Sequence, residues 1–195
     1  MNLKSHLLGA FETMIFLREG VSRFDASLRS AWGSMLIPIC LLPLIFWTTQ
    51  FAVPLGADEV SRNVLVPALL LISVLSLVIT IGFYYLCAKY FQKLEAFPRL
   101  VTAMNWVGLL FTVLTLPILF MTESGHIDRQ TLEDIFIWVL IYQYAVTGFI
   151  IFRSYLIPWE LAVAVAILTM FINETTRELV FHMSDIPIVD YFDIY

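Results

Sequence analysis

The charges of this chain come in short clusters separated by long apolar runs. Asn63 through Ala88 is a stretch of 26 residues without a formal charge, rich in Leu, Val and Ile. Lys89–Arg99, directly behind it, holds three basic residues against Glu95. A helix rising 1.5 Å per residue needs about 20 apolar residues to cross a hydrocarbon layer of about 30 Å, so the run predicts a membrane crossing. Four further runs read the same way: Ser30–Ala57, Leu100–Thr122, Ile135–Phe152 and, with Tyr155–Trp159 added, Leu161–Asn173. The expected fold is all-α, a polytopic transmembrane helix bundle of five spans at about 31–54, 64–88, 100–121, 135–152 and 156–173.

Residues 1–29 precede the bundle as a cytoplasmic segment. Leu3, Leu7, Leu8, Phe11, Met14 and Ile15 recur at helical spacing, with Lys4, Ser5, Glu12 and Thr13 mostly opposite, which predicts an N-terminal amphipathic helix. Two readings of it stay open. It lies in the membrane interface or grips a partner, or it packs beneath the bundle; a two-faced helix suits either place. His6, Glu12 and Arg18 break the apolar positions, so the segment does not read as a cleaved leader. Gly20 sits where a C-cap glycine would close this helix, and Ser22 with Asp25 fits a capping box that opens the next.

Prolines and aromatic residues refine the spans. Pro38 and Pro43 predict a kink in the first, and Pro117 another near the outer end of the third. Trp32 and Trp47 stand near the two ends of the first span, as an aromatic belt would place them. Pro158-Trp159-Glu160 suits the first turn of the fifth. Residues 174–195 read as an acidic exterior tail.

Polar residues inside the spans are the candidate sites. Ser73, Ser76 and Thr80 share one side of the second span, a small-residue surface for close helix packing. Asn105, Gly108, Thr112 and Thr115 form a stripe on the third, read as an interhelical hydrogen-bonding edge, with a polar pathway as the alternative. Gln143 and Thr147 lie one turn apart on the fourth span. An unmet amide in hydrocarbon costs several kcal/mol, so Gln143 requires a partner, expected on the third span. Glu174, Glu178, His182 and Asp185 follow one helix face at a spacing that suits a divalent metal. A solvated helix surface is the commoner meaning of that face, and no metal or cofactor is assigned. Cys40 and Cys87 fall inside apolar runs and read as packing residues.

Composition agrees with the pattern. The chain of 195 residues is 60% hydrophobic and 14% charged, with a mean hydropathy of +0.86. The net charge of −5 offers no basic patch for nucleic acid. Of the eleven basic residues, Lys4, Arg18, Arg23, Arg29, Lys89, Lys93, Arg99 and Arg153 fall on one side of a five-span chain; Arg62, Arg129 and Arg177 fall on the other. Lys and Arg in short loops are retained in the cytoplasm, which orients the chain N-inside and C-outside.

Five spans, short connections, an inside N-terminus and an outside C-terminus, with the segment Arg23-Phe24-Asp25-Ala26-Ser27-Leu28-Arg29-Ser30-Ala31-Trp32 leading into the first span, resemble the Yip1-like family of small membrane proteins. The resemblance implies the five-span fold. The Asp-Leu-Tyr-Gly-Pro and Gly-Tyr-Gly signatures of its eukaryotic branch are absent, so no family site residue is carried over. Short loops leave no room for a soluble catalytic domain, and spans one to four hold no His or acid. The expected function is that of a non-enzymatic integral membrane protein that binds or organises other membrane proteins or itself, among membrane lipids. A small oligomeric transporter or channel subunit is the alternative. The short loops and lack of targeting motifs point to a bacterial inner membrane.

Overall fold

The computed structural model describes residues 3–52 and 59–184. Among them the chain is helical throughout: α1 (Leu3–Met14), α2 (Leu28–Ser34), α3 (Leu36–Ala52), α4 (Glu59–Tyr90), α5 (Phe97–Glu123), α6 (Arg129–Tyr155) and α7 (Trp159–Met183). Four of these helices, α4 to α7, are long and apolar enough to cross a membrane. The shortest has 25 residues and rises about 37 Å, more than the hydrocarbon thickness.

Where the apolar pattern predicts the first span, the helix is interrupted. It breaks at Met35, between α2 and α3, and among the described residues the apolar stretch here is Leu28–Leu44. The reason is Pro38, whose ring excludes the carbonyl of Ser34 and which has no N–H to offer it. Pro43 and Pro117 lie inside helices without ending them. The turn expected to follow the first span falls largely on residues 53–58, outside the described residues.

The other boundaries follow local chemistry. Asp128 caps α6 by accepting from the Thr131 amide at 2.9 Å and the Thr131 hydroxyl at 2.8 Å, and these bonds hold its carboxyl below the usual range. Three helices stop on left-handed residues that are not glycine: Phe16, Gln92 and Leu156, with φ of 58°, 57° and 53°. Pro98 stands in the first turn of α5, where its missing N–H costs nothing.

Three expected boundaries are corrected. Gly20 does not end α1, which stops at Met14. Ser22 and Asp25 form no capping box: Ser22 donates to the Glu19 carbonyl, while Asp25 accepts from the amide and hydroxyl of Ser27. Ser27 in turn caps α2 by accepting from the Ser30 amide. The acidic tail begins later than expected, because α7 runs unbroken through Met183. Thr176 and Val180 are buried, and Val180 packs with Ala68 of α4. Glu174, a good helix former, pairs with Arg177 one turn on, and the helix face read over Glu174, Glu178 and His182 is present in α7.

In the bundle α6 lies between α5 and α7, α4 packs on α7, and α1 and α2 pack on α5. The buried core gathers at the end where α4 joins α5 and α6 joins α7. Tyr84, Leu100, Trp106, Ile150, Tyr155 and Ala166 belong to it, together with Ala10, Val21 and Phe24 from the N-terminal segment. That is also the end rich in Lys and Arg.

Candidate functional site

The first candidate is the docked N-terminal helix. Its buried face is not the expected Leu/Phe stripe but His6, Gly9, Ala10, Thr13 and Met14. Leu3, Leu7, Leu8, Phe11 and Ile15 point outward, with Phe11 57% exposed. Small residues explain the inversion. The following turn folds back so tightly that a Cβ on Gly20 would lie 2.5 Å from the Thr13 amide nitrogen. One on Gly9 would lie 3.0 Å from the Gly20 carbonyl oxygen.

Polar contacts fix this unit to the bundle. The Tyr142 hydroxyl of α6 donates to the Met14 carbonyl. Arg99 Nε donates to the Phe24 carbonyl at 3.3 Å and Arg153 to the Arg18 carbonyl at 3.5 Å. Arg23 and Glu12 form a bidentate pair across the turn. His6 Nε2 lies 3.3 Å from the Ser30 hydroxyl, with its ring edge-on to Phe24 and Trp106. Burial, reinforced by the positive amino terminus, pushes its pKa below the usual 6.5 against a smaller opposite pull from Asp25.

The second candidate is a polar ladder among α4, α6 and α7. The Thr80 hydroxyl donates to Asn173 Oδ1 at 3.0 Å, and Asn173 adjoins Tyr144. One turn along both helices, Tyr84 adjoins Thr169, and the Tyr155 hydroxyl donates to the Tyr84 carbonyl at 2.8 Å. Every rung joins one helix to another.

The sequence-predicted residues are distributed over these features unevenly. Thr80 reaches another helix, while Ser73 donates to the Leu69 carbonyl of its own, and Ser76 is half-buried beside them. Asn105 donates to Ser34 Oγ at 2.9 Å, across to α2. Thr112 and Thr115 bond within α5, to Gly108 and Phe111 carbonyls at 3.0 Å each. A Cβ on Gly108 would meet nothing within 4 Å, so no described helix closes upon it. Gln143 is exposed on α6, and no hydrogen bond links it to α5 among the described residues; Thr147, one turn on, is half-buried. Glu178 and His182 lie on successive turns of α7, and Asp185 falls outside the described residues. No group of three metal-ligating side chains occurs among the described residues.

Sequence reasoning passes over Asn173, Tyr84, Tyr155 and His6. A signal exists for two of them: Thr80 and Tyr84 on α4 match Thr169 and Asn173 on α7 at the same one-turn spacing.

The third feature is a groove enclosing about 480 Å³ between α6 and α7. Gly148, Phe149 and Phe152 of α6, Trp159 and Ala166 of α7, and Phe16 of the N-terminal segment are among the residues that line it. A Cβ on Gly148 would lie 3.7 Å from that of Ala166, an ordinary contact. Comparison with protein-family models, curated proteins and solved structures finds no match to the chain.

Proposed function

We propose that this is a five-span integral membrane protein, N-inside and C-outside, that binds or organises other membrane proteins and performs no chemistry of its own. In this reading α2 and α3 together make the first crossing and the Yip1-like resemblance holds at the level of topology. The basic end of the bundle faces the cytoplasm of a bacterial cell, with α1 set into the inner leaflet. The outward Leu and Phe side chains of α1 support that placement, since lipid is the solvent that accepts them.

Gln143 carries the functional part. It is exposed near the middle of an apolar helix, one turn from Leu140, which is also exposed, and it has no hydrogen-bond partner among the described residues. Facing hydrocarbon, that amide costs several kcal/mol unless a helix from another molecule meets it. Purification in mild detergent from the native membrane, compared with Gln143→Leu, tests the reading. A partner or second copy that co-purifies in fixed proportion should be lost from the variant while the isolated chain stays folded. Equal recovery with both proteins would refute it.

A further inference from the structure

The groove between α6 and α7 opens on the outer surface of the bundle, at the end rich in Lys and Arg. Its α6 wall runs from Tyr144 to Phe152 and its α7 wall from Trp159 to Ile167. Eight residues of helix rise about 12 Å, close to one half of a hydrocarbon core of about 30 Å. Depth and lining therefore match a single acyl chain in one leaflet. The volume of about 480 Å³ lies within the range of about 300–1,000 Å³ typical of small-ligand sites.

Charge at the mouth narrows the ligand. Arg153 follows the groove-lining Phe152, and its guanidinium carbon lies 5.8 Å from the centre of that ring. Its Nε is buried without a hydrogen-bond partner, and no acidic side chain pairs with it among the described residues. Its one side-chain bond among those residues is the 3.5 Å contact to the Arg18 carbonyl, which brings the backbone of a second, exposed arginine to the same end. A partly exposed guanidinium beside a groove-lining ring, with no acid paired to it among the described residues, is a group that binds a phosphate oxygen.

We propose that this groove binds one anionic phospholipid, with an acyl chain lying between Phe149 and Ala166 and its phosphate held by Arg153. The proposal rests on the membrane-embedded reading and adds a ligand to it. Phe16, whose ring stacks edge-on against Phe149 at 5.4 Å, closes the groove from the N-terminal segment, so occupancy and α1 docking support each other.

Native mass spectrometry of the full chain in mild detergent, with phosphatidylglycerol or phosphatidylcholine of identical chains, tests this. The unmodified protein should retain one phosphatidylglycerol, about tenfold tighter than phosphatidylcholine, as expected for a charge-assisted contact. Arg153→Gln should erase that preference, and Arg153→Lys should keep most of it. Ala145→Trp, placed on an exposed wall position, should fill the groove and lose both lipids; Val163→Trp repeats the test should Ala145→Trp lose helicity. Equal retention of the two lipids by the unmodified chain, or undiminished phosphatidylglycerol binding by a helical groove-filling variant, would overturn the proposal. Flotation with vesicles separates the two claims. A chain that floats without lipid preference refutes the site alone, and a chain that does not float refutes the membrane reading beneath it.

Discussion

Two glycine-to-alanine substitutions should move stability in opposite directions. Gly20 has φ −52° and ψ −52°, which alanine adopts without strain. On backbone freedom alone, Gly20→Ala would stabilise the chain by about 0.4–1 kcal/mol. The surroundings reverse this. The new Cβ would lie 2.5 Å from the Thr13 nitrogen, 2.7 Å from its hydroxyl and 2.9 Å from the Glu12 carbonyl carbon. Two of these three atoms are backbone, and carbon contacts relax only near about 3.5 Å, so α1 must retreat by about 1 Å.

That retreat stretches the Tyr142 bond to Met14 and the contact of His6 with Ser30. Overpacking of this kind costs about 1–3 kcal/mol, which leaves a net loss of about 1–2 kcal/mol. Hydrogen exchange of the protein in lipid nanodiscs should show α1 amides about 5- to 30-fold less protected. Gly148→Ala provides the control: its Cβ would stand 3.7 Å and 3.9 Å from its neighbours, and an interior helical glycine gains about 0.5–1 kcal/mol on becoming alanine. Wild-type or better α1 protection in Gly20→Ala would show that the turn does not close on α1 as described.

Other consequences can be measured separately. In a double-mutant cycle, Thr80→Val and Asn173→Leu should couple by about 0.6 kcal/mol and at most about 1.7, read from detergent unfolding; strict additivity would remove the bond. Tyr155→Phe removes a buried 2.8 Å hydrogen bond and should cost about 0.5–1.5 kcal/mol in the same assay, whereas an unchanged midpoint would discount the contact. His6 is held neutral when docked, so α1 docking is fully stable above the imidazole's ordinary pKa of 6.5. It weakens as the pH falls below that toward the lowered folded value. Exchange of α1 amides should therefore accelerate on acidification, and His6→Gln should flatten the profile; a pH-independent wild type would contradict the burial of His6.

Most helices can be read from charge placement because bursts of charge mark where chain leaves hydrocarbon. Pro98, Asp128 and Pro158 supply their ends. The same rule fails at the last helix, where Glu174 reads as the end of a span although α7 continues to Met183. A charge count marks where an apolar span ends but not where its helix does, because Glu and Arg are themselves good helix formers. Polar partners are legible as needs but not as pairs. Asn105 has to bond something, yet choosing Ser34 on α2 requires knowing that α2, not α6, lies beside that turn of α5. Gln143 is the opposite case: the need is plain in the sequence, and the described bundle supplies no partner.

The inverted face of α1 follows from the same change of solvent. Amphipathic reasoning assumes that apolar side chains turn inward because water lies outside. Between helices in lipid that driving force vanishes, since hydrocarbon accepts Leu and Phe as readily as a protein core does. What remains is close contact of backbones and the hydrogen bonds it permits. Gly9, Ala10 and Thr13 let α1 and the turn behind it approach to near-contact, and His6 finds Ser30 on that same face. The leucines are then free to face the acyl chains. A helix with one small, polar stripe and one Leu/Phe stripe can dock by the first in lipid, where the second needs no protein cover. The packing of α1 on its small stripe fits the proposal that its Leu/Phe stripe faces lipid.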